Sequence, residues 1–352
     1  MIDSEDSAPG WDAIAAQLDA LYPGVEPHHY GTLVKWRLGG NDPLDGISAY
    51  PRAGHWHIVT FGLSELYSKE SEDLEESGWG FELTFRLARA DDEDEPPMWA
   101  MGFLQNIARY VFTTGNAFAP GHHLDINGPI CQEAPGTAIR AIAFVDDPEL
   151  DPIDTPHGRL RFLQVVGLTT DEYAVVERWN SQRLLAAMTP YLPLLVTDLD
   201  RDGLTRHPQV AAAIEEGIRR DGSSTGFLFV EQARWRVERD TAGQPRTTLT
   251  LDAIPAPRIG RVLAARLPFG RGLLLRSQES GIGLRCGERF TVTEEGNAIL
   301  AVELPPAALA ELTEALESAA GTYPLAAAPG LTVEIVGEQP RDQAGEVVSE
   351  VG

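Results

Sequence analysis

Trp79-Gly80-Phe81-Glu82-Leu83-Thr84-Phe85-Arg86-Leu87 decides how this chain is read. Phe81, Leu83, Phe85 and Leu87 alternate with Gly80, Glu82, Thr84 and Arg86. A period of two marks a β-strand with one face on a core. The other face is wet or covered by polar neighbours. Upstream, His55 to Phe61 reads as a second strand. Downstream, the charged loop Asp91 to Pro97 leads into a helix from about Met98 to Thr114. Trp99, Phe103, Ile107 and Val111 recur there at every fourth position, and Gly115 ends it.

Working outward, Trp11, Ile14, Leu18 and Leu21 form one helical stripe stopped by Pro23-Gly24. Residues 39–46 are turn-rich, and 115–136 look like a long irregular connection, of the kind that often carries function. Ala138 to Val145 and Leu160 to Leu168 are strands. Thr169 and Glu172 form a capping box for a helix reaching Met188, and Leu194 to Leu199 is a last short strand. Asp200-Arg201-Asp202-Gly203 then breaks the pattern. Beyond it, helices are expected near 208–219, 257–266 and from Pro305-Pro306. Strands are expected near 226–238, 246–254, 271–276, 282–292, 298–304 and 331–336. Without regular βαβ alternation the fold class is α+β, as two mixed domains joined by a short linker. The expected boundaries are a tail 1–9, a first domain 10–200, a linker 201–206, a second domain 207–337 and a disordered tail 338–352.

Composition narrows the function. The chain has 352 residues, 43% hydrophobic and 23% charged, as in a globular protein of two domains. No run approaches the roughly 20 apolar residues of a membrane helix, and the acidic N-terminus lacks a secretory signal, so a cytoplasmic location is expected. Cys131 and Cys286 lie far apart and read as two free thiols. A net charge of -25 repels phosphate backbones and argues against nucleic acid. It reads first as the surface charge of a soluble acidic protein, with a basic protein partner drawn in by long-range attraction as the sharper alternative.

Searches for chemistry give little. There is no Walker A loop, no dinucleotide-binding glycine spacing and no Gly-x-Ser-x-Gly elbow. Asp198 to Gly203 matches half a calcium loop, but the closing acid is replaced by Gln209. His28-His29, His122-His123 and the pair His55 and His57 could ligate a metal, yet no acid or cysteine accompanies them at ligand spacing. Hence no catalytic residues, no metal and no cofactor are expected. A His-liganded metal-dependent hydrolase stands as the enzyme alternative.

The wording of the sequence carries further. Gly10-Trp11-Asp12, Pro27-His28-His29-Tyr30-Gly31, Asp42-Pro43-Leu44-Asp45-Gly46-Ile47 and His55 to Tyr67 resemble the opening of the Suppressor of fused domain. So do Gly80 to Leu87, Leu104 to Phe112, Phe162 to Gly167 and Leu195 to Asp198. Gly217-Ile218, Asp221-Gly222-Ser223 and Gln278 to Gly281 resemble the family's C-terminal domain more faintly. The likeness is to a bacterial member of the family. It implies two α+β domains that close around an extended peptide, which adds as a strand between them.

By that resemblance Tyr110, His122 and His123 lie on the first-domain side of the partner site. Phe269, Leu273 and Leu275 lie on an edge strand of the second, from Phe269 to Arg276. His122 stands where animal members have an Asp that binds a His of a Gli-type peptide, so that peptide should bind poorly here. Bacterial members are linked to polymorphic toxin systems as candidate immunity proteins, which implies a partner that is a basic toxin or an extended peptide. A chaperone or scaffold without a toxin partner is the alternative. The oligomeric state is left open.

Overall fold

The computed structural model describes residues 7–296 and 298–337. It is α+β and divides into two units. Unit 1 holds residues up to Ala174 and Ser181–Ala211, and unit 2 holds Val175–Asn180 and residues from Ala212 onward. The expected tail 338–352 lies outside the described residues, as do residues 1–6 of the expected N-terminal tail.

Unit 1 contains α1 (Pro9–Leu21), β1 (His28–Gly31), β2 (Gly46–Arg52), β3 (His55–Phe61), β4 (Glu76–Ala88), α2 (Met98–Thr114), β5 (His123–Asp125), β6 (Ile139–Asp146), β7 (Ile153–Thr155) and β8 (Gly158–Thr169). The first half of α3 (Thr170–Arg178), up to Ala174, and α4 (Ser181–Met188) follow. The sheet runs β1-β2-β3-β4-β8-β6-β5, with β7 on β8. Only the central β4–β8 pair is parallel; the rest of the ladder is antiparallel. Phe81, Leu83, Phe85 and Leu87 of β4 pack against Leu104, Ile107 and Val111 of α2, as the alternation requires. The opposite sheet face packs on α1 through Ile14, Leu18 and Tyr22. The polar side of β4 is therefore not wet: Glu82, Thr84 and Arg86 are fully buried.

Several elements differ from the expected ones. The helix read through Met188 is two, α3 and α4. Its capping box is half made: the Thr169 amide donates to Glu172 Oε2 at 2.9 Å. Residues 194–199 do not form a strand. Pro193–Leu195 is a 3₁₀ turn with Leu194 and Leu195 at φ 54° and 53°, and Thr197 makes one isolated bridge to Leu87. Pro193 opens the turn just before this run, and the left-handed backbone of Leu194 and Leu195 breaks the extended conformation that a ladder needs. Residues 201–206 lie within unit 1, where Arg201 Nη2 meets the buried Glu172 carboxylate at 2.7 Å.

Unit 2 takes in most of α5 (Pro208–Asp221), then β9 (Phe227–Phe229), β10 (Ala233–Arg239), β11 (Pro245–Asp252), α6 (Ala256–Arg266), β12 (Leu273–Arg276), β13 (Gly281–Cys286) and β14 (Thr291–Glu295). β15 (Ile299–Leu304), α7 (Pro306–Leu316), β16 (Gly321–Pro324) and β17 (Leu331–Val336) complete it. Two sheets result, β10-β11-β17-β16 and β14-β15-β13-β12-β9. With α6 and α7 they enclose a core built from residues such as Leu249, Ile259, Leu263, Leu275, Val302 and Val333. The strand expected over 226–238 is two strands, β9 and β10, in different sheets.

Candidate functional site

The Tyr110 region of unit 1 is built by the end of α2. Gly115 takes the left-handed conformation, φ 74°, and its amide donates to the Val111 carbonyl, closing the helix. The chain then reverses and joins the sheet: the Gly121 amide donates to the Phe144 carbonyl at 2.8 Å, and the Phe144 amide donates to the His122 carbonyl at 2.9 Å. β5 follows as the last strand of the sheet order, a short element hidden in the stretch read as irregular. The half-exposed Tyr110 ring stacks on Phe118 with centroids 5.5 Å apart, and Phe118 stacks on Phe144 at 4.2 Å. His122 meets Phe118 edge-on, and its Nδ1 accepts the Ala119 amide at 3.3 Å, which places its ring proton on Nε2. His123 packs edge-on against Tyr173. Tyr110, His122 and His123 are thus brought together around one sheet end.

The second set is not placed as expected. Phe269 lies in a 3₁₀ turn, Leu267–Phe269, and is 38% exposed. Leu273–Arg276 is not an edge: β13 pairs with it on one side and β9 on the other. Leu273 and Leu275 are buried in the core and cannot meet a partner directly. The edge is β9, parallel to β12 with Phe227 opposite Leu274. Leu228 faces the core, while Phe227 and Phe229 are 52% and 59% exposed. Sequence reasoning missed this because strand order within a sheet leaves no trace in periodicity. The available signal was two phenylalanines flanking a leucine in a short strand.

His57, His29 and His28 are held by contacts within unit 1. His57 is fully buried, with Nδ1 2.7 Å from the Tyr22 hydroxyl and Nε2 3.2 Å from Asp147 Oδ2. Burial pulls its imidazole down to about 4, against the upward pull of Asp147. Burial alone would raise the Asp147 carboxyl, but His57 and Arg86 override it and hold it well below the usual carboxylate range. Arg86 forks onto Asp147, with Nη2 3.0 Å from Oδ1, and reaches Glu149 at 2.9 Å. His29 Nδ1 lies 3.0 Å from the Ser48 hydroxyl, and His28 packs edge-on against Trp56. Among the described residues no three His, Cys, Asp or Glu converge as a metal site.

Glu82 organises the loop after β3. It accepts hydrogen bonds from the Thr60 hydroxyl at 2.7 Å, the Gly62 and Ser64 amides at 2.9 Å, and the Ser64 hydroxyl at 2.6 Å. Beside this loop opens a cavity of about 490 Å³ with aromatic walls from Trp36, Tyr67, Trp79 and Phe112. Its acids are engaged: Asp45 lies 3.8 Å from Lys35, and Glu65 accepts from Lys69 and from the Glu70, Ser71 and Gly78 amides.

Comparison with known proteins accords with this geometry. Residues 40–202 match the family model of the Suppressor of fused protein. The Suppressor of fused homologue of Homo sapiens is 36% identical over 235 residues, 61% of this chain and 48% of that protein. The chain belongs to the Suppressor of fused family. The Mus musculus homologue matches equally, at 36% over 235 residues. The chain therefore spans about half the length of these relatives. Drosophila Suppressor of fused shares the fold with a TM-score of 0.76 at 23% identity, covering 95% of this chain and 98% of that one. A chain in the crystal structure of the Sufu–Fu complex is 32% identical with a TM-score of 0.54, over 59% of this chain and 98% of its own. No helix among the described residues is long and apolar enough to cross a membrane.

Proposed function

We propose that this chain is a non-enzymatic protein-binding module that sequesters an extended segment of a partner by strand addition, acting in the cytoplasm. One observation carries the reading: β9 ends its sheet with Phe227 and Phe229 exposed. A bare apolar edge invites pairing and is normally blunted by charge, proline or a bulge. Here it offers what strand addition uses, backbone groups for affinity and apolar side chains for selection. In unit 1 we assign partner contact to Tyr110, His122 and His123 around β5. Leu273 and Leu275 support β9 from within. The Sufu–Fu complex neighbour and the family favour binding over catalysis. The net charge of -25 favours a basic partner, and a basic toxin neutralised by this chain is the finer form of the proposal.

The test uses the full chain as bait with quantitative mass spectrometry. A partner retained by the wild type should be lost by the Phe227→Ser/Phe229→Ser double variant. A variant with neutralised residues 91–95 should retain it, with slower association. Equal retention by all three baits would overturn strand addition at β9.

A further inference from the structure

Acids outnumber lysines and arginines 53 to 28 in this chain, so a cation lacking an acidic neighbour stands out. Unit 2 brings two together. Arg266 ends α6, the turn Leu267–Phe269 follows, and Gly270 reverses the chain at φ 73° before Arg271. Both side chains return to one carbonyl: Arg266 Nη1 donates to the Ser223 oxygen at 2.9 Å, and Arg271 Nη1 to the same oxygen at 3.1 Å. Arg266 Nε is spent on the Gly272 carbonyl. Neither guanidinium has an ion pair with a described carboxylate. Burial and the neighbouring Arg271 both weaken Arg266's hold on its proton, the opposite of what a nearby acid would do.

Donors remain. Arg266 Nη2 lies over Gly226, only 2.8 Å from where a Cβ would stand. Arg271 is exposed, and its Nε and Nη2 make no hydrogen bond to described residues. One carbonyl does not neutralise two cations. A planar or tetrahedral oxyanion does, taking two parallel N–H donors from a guanidinium fork. Gly226 immediately precedes β9, so the open donors sit at the start of the exposed edge.

We propose that Arg266, whose guanidinium rests over Gly226, and Arg271 form a receptor for an oxyanion, a carboxylate or a phosphoryl group, carried by the partner segment that adds to β9. The site would demand one acidic or phosphorylated residue at a fixed register in an otherwise basic segment. The carrier rests on the strand-addition reading; the affinity for a free anion does not.

The test is therefore made without a partner. The full chain, labelled with ¹⁵N-arginine, is titrated with inorganic phosphate and separately with acetate near neutral pH and low salt. The Nε–H signals of Arg266 and Arg271 should move saturably, while those of Arg219 and Arg236 should not. Arg271→Gln, an exposed change that spares the core, should weaken the response of Arg266 about tenfold or more. Gly226→Ala should weaken it as well, because the added Cβ would displace the Arg266 guanidinium. Saturation by phosphate well below acetate identifies a phosphoryl group; equal saturation identifies a carboxylate. The Phe227→Ser/Phe229→Ser variant should titrate like the wild type, which separates this site from strand addition. Absence of saturation at Arg266 and Arg271, or an unchanged titration in Arg271→Gln, would overturn the receptor.

Discussion

In unit 1 the central strand β4 buries Glu82, Thr84 and Arg86 along one face, and Asp147, His57 and Gln164 close around them. In unit 2 the corresponding interior is Leu249, Leu251, Ile259, Leu263, Val302, Val333 and Ile335, and among the described residues no buried arginine or histidine interrupts it. The two units thus solve one problem differently. An apolar core tolerates a change in one member with a modest loss. A buried ionic network is stable only when every member is satisfied, because the low dielectric that strengthens each contact also magnifies the cost of losing one. The network holds β3, β4, β8 and the start of the 147–150 turn in one register: the Glu149 and Leu150 amides both donate to Asp147 Oδ1. Unit 1 should therefore break sharply and unit 2 gradually.

The largest break is expected at Asp147. Asp147→Ala leaves the Arg86 guanidinium buried with one half-exposed carboxylate, Glu149, and should destabilise unit 1 by about 3–5 kcal/mol. Hydrogen exchange resolved by peptide checks this: protection should fall in β3, β4 and β8 and hold in β11 and β17. Replacing the pair together, Arg86→Met with Asp147→Leu, should recover only the part of the loss that comes from the unpaired guanidinium, since the Thr84 hydroxyl and the Glu149 and Leu150 amides still lose Asp147 as their acceptor. Loss in both units alike would show that the contrast is not one of local chemistry.

Acid should separate the units next. His57 is depressed to about 4 from 6.5, so the unfolded chain takes up a proton first as pH falls. Its contribution is fully present above 6.5 and is lost as pH falls toward 4, a change of roughly 3 kcal/mol. Glu65 continues the trend. Burial would raise its carboxyl, but Lys69 and the Ser71, Glu70 and Gly78 amides bring it down to about 2, so stability present above 4.5 is lost as pH falls through that window. Asp147 acts in the same direction at still lower pH. Exchange measured across a pH series should show unit 1 opening before unit 2. Simultaneous opening would deny the network its role.

How much of this was legible in sequence follows the same division. The apolar face of β4, the stripe of α2 and the helix at Pro9–Leu21 were readable because burial and secondary structure share one period. The partners of the polar face were not: Arg86 and Asp147 lie 61 residues apart, and nothing local pairs them. β1, β2 and β5 were missed because four, seven and three residues with Gly, Pro or His among them carry too little alternation. The Tyr110 region came from family resemblance, since its geometry depends on a ring stack spanning Phe118 and Phe144. The exposed edge was assigned to Leu273–Arg276 when it belongs to β9 for a topological reason: β9 adds in parallel outside β12 from a distant part of the chain.

A smaller effect should mark the apolar core. Ile259 is fully buried in unit 2, so Ile259→Val removes one methylene and should cost about 1 kcal/mol, read from the shift of the denaturant midpoint. A loss as large as that of Asp147→Ala would mean that unit 2 is as unforgiving as unit 1.

The smallest effect on stability belongs to the edge that the proposed function uses. Phe229 is 59% exposed, on the face of β9 opposite the buried Leu228. Phe229→Ser removes apolar surface that water already covers, so stability should change by no more than about 0.5 kcal/mol. Binding should respond quite differently, because an aromatic anchor desolvated by a partner is typically worth about 2 kcal/mol or more. Polar substitution should also reduce self-association, since an exposed phenylalanine edge pairs with copies of itself when no partner covers it. A Phe229→Ser variant that unfolds at the wild-type midpoint, stays monomeric at higher concentration and loses its partner would place the cost of an exposed edge with recognition rather than folding. A variant that binds as tightly as wild type would place recognition elsewhere and leave the Tyr110 region of unit 1 as the surface to test.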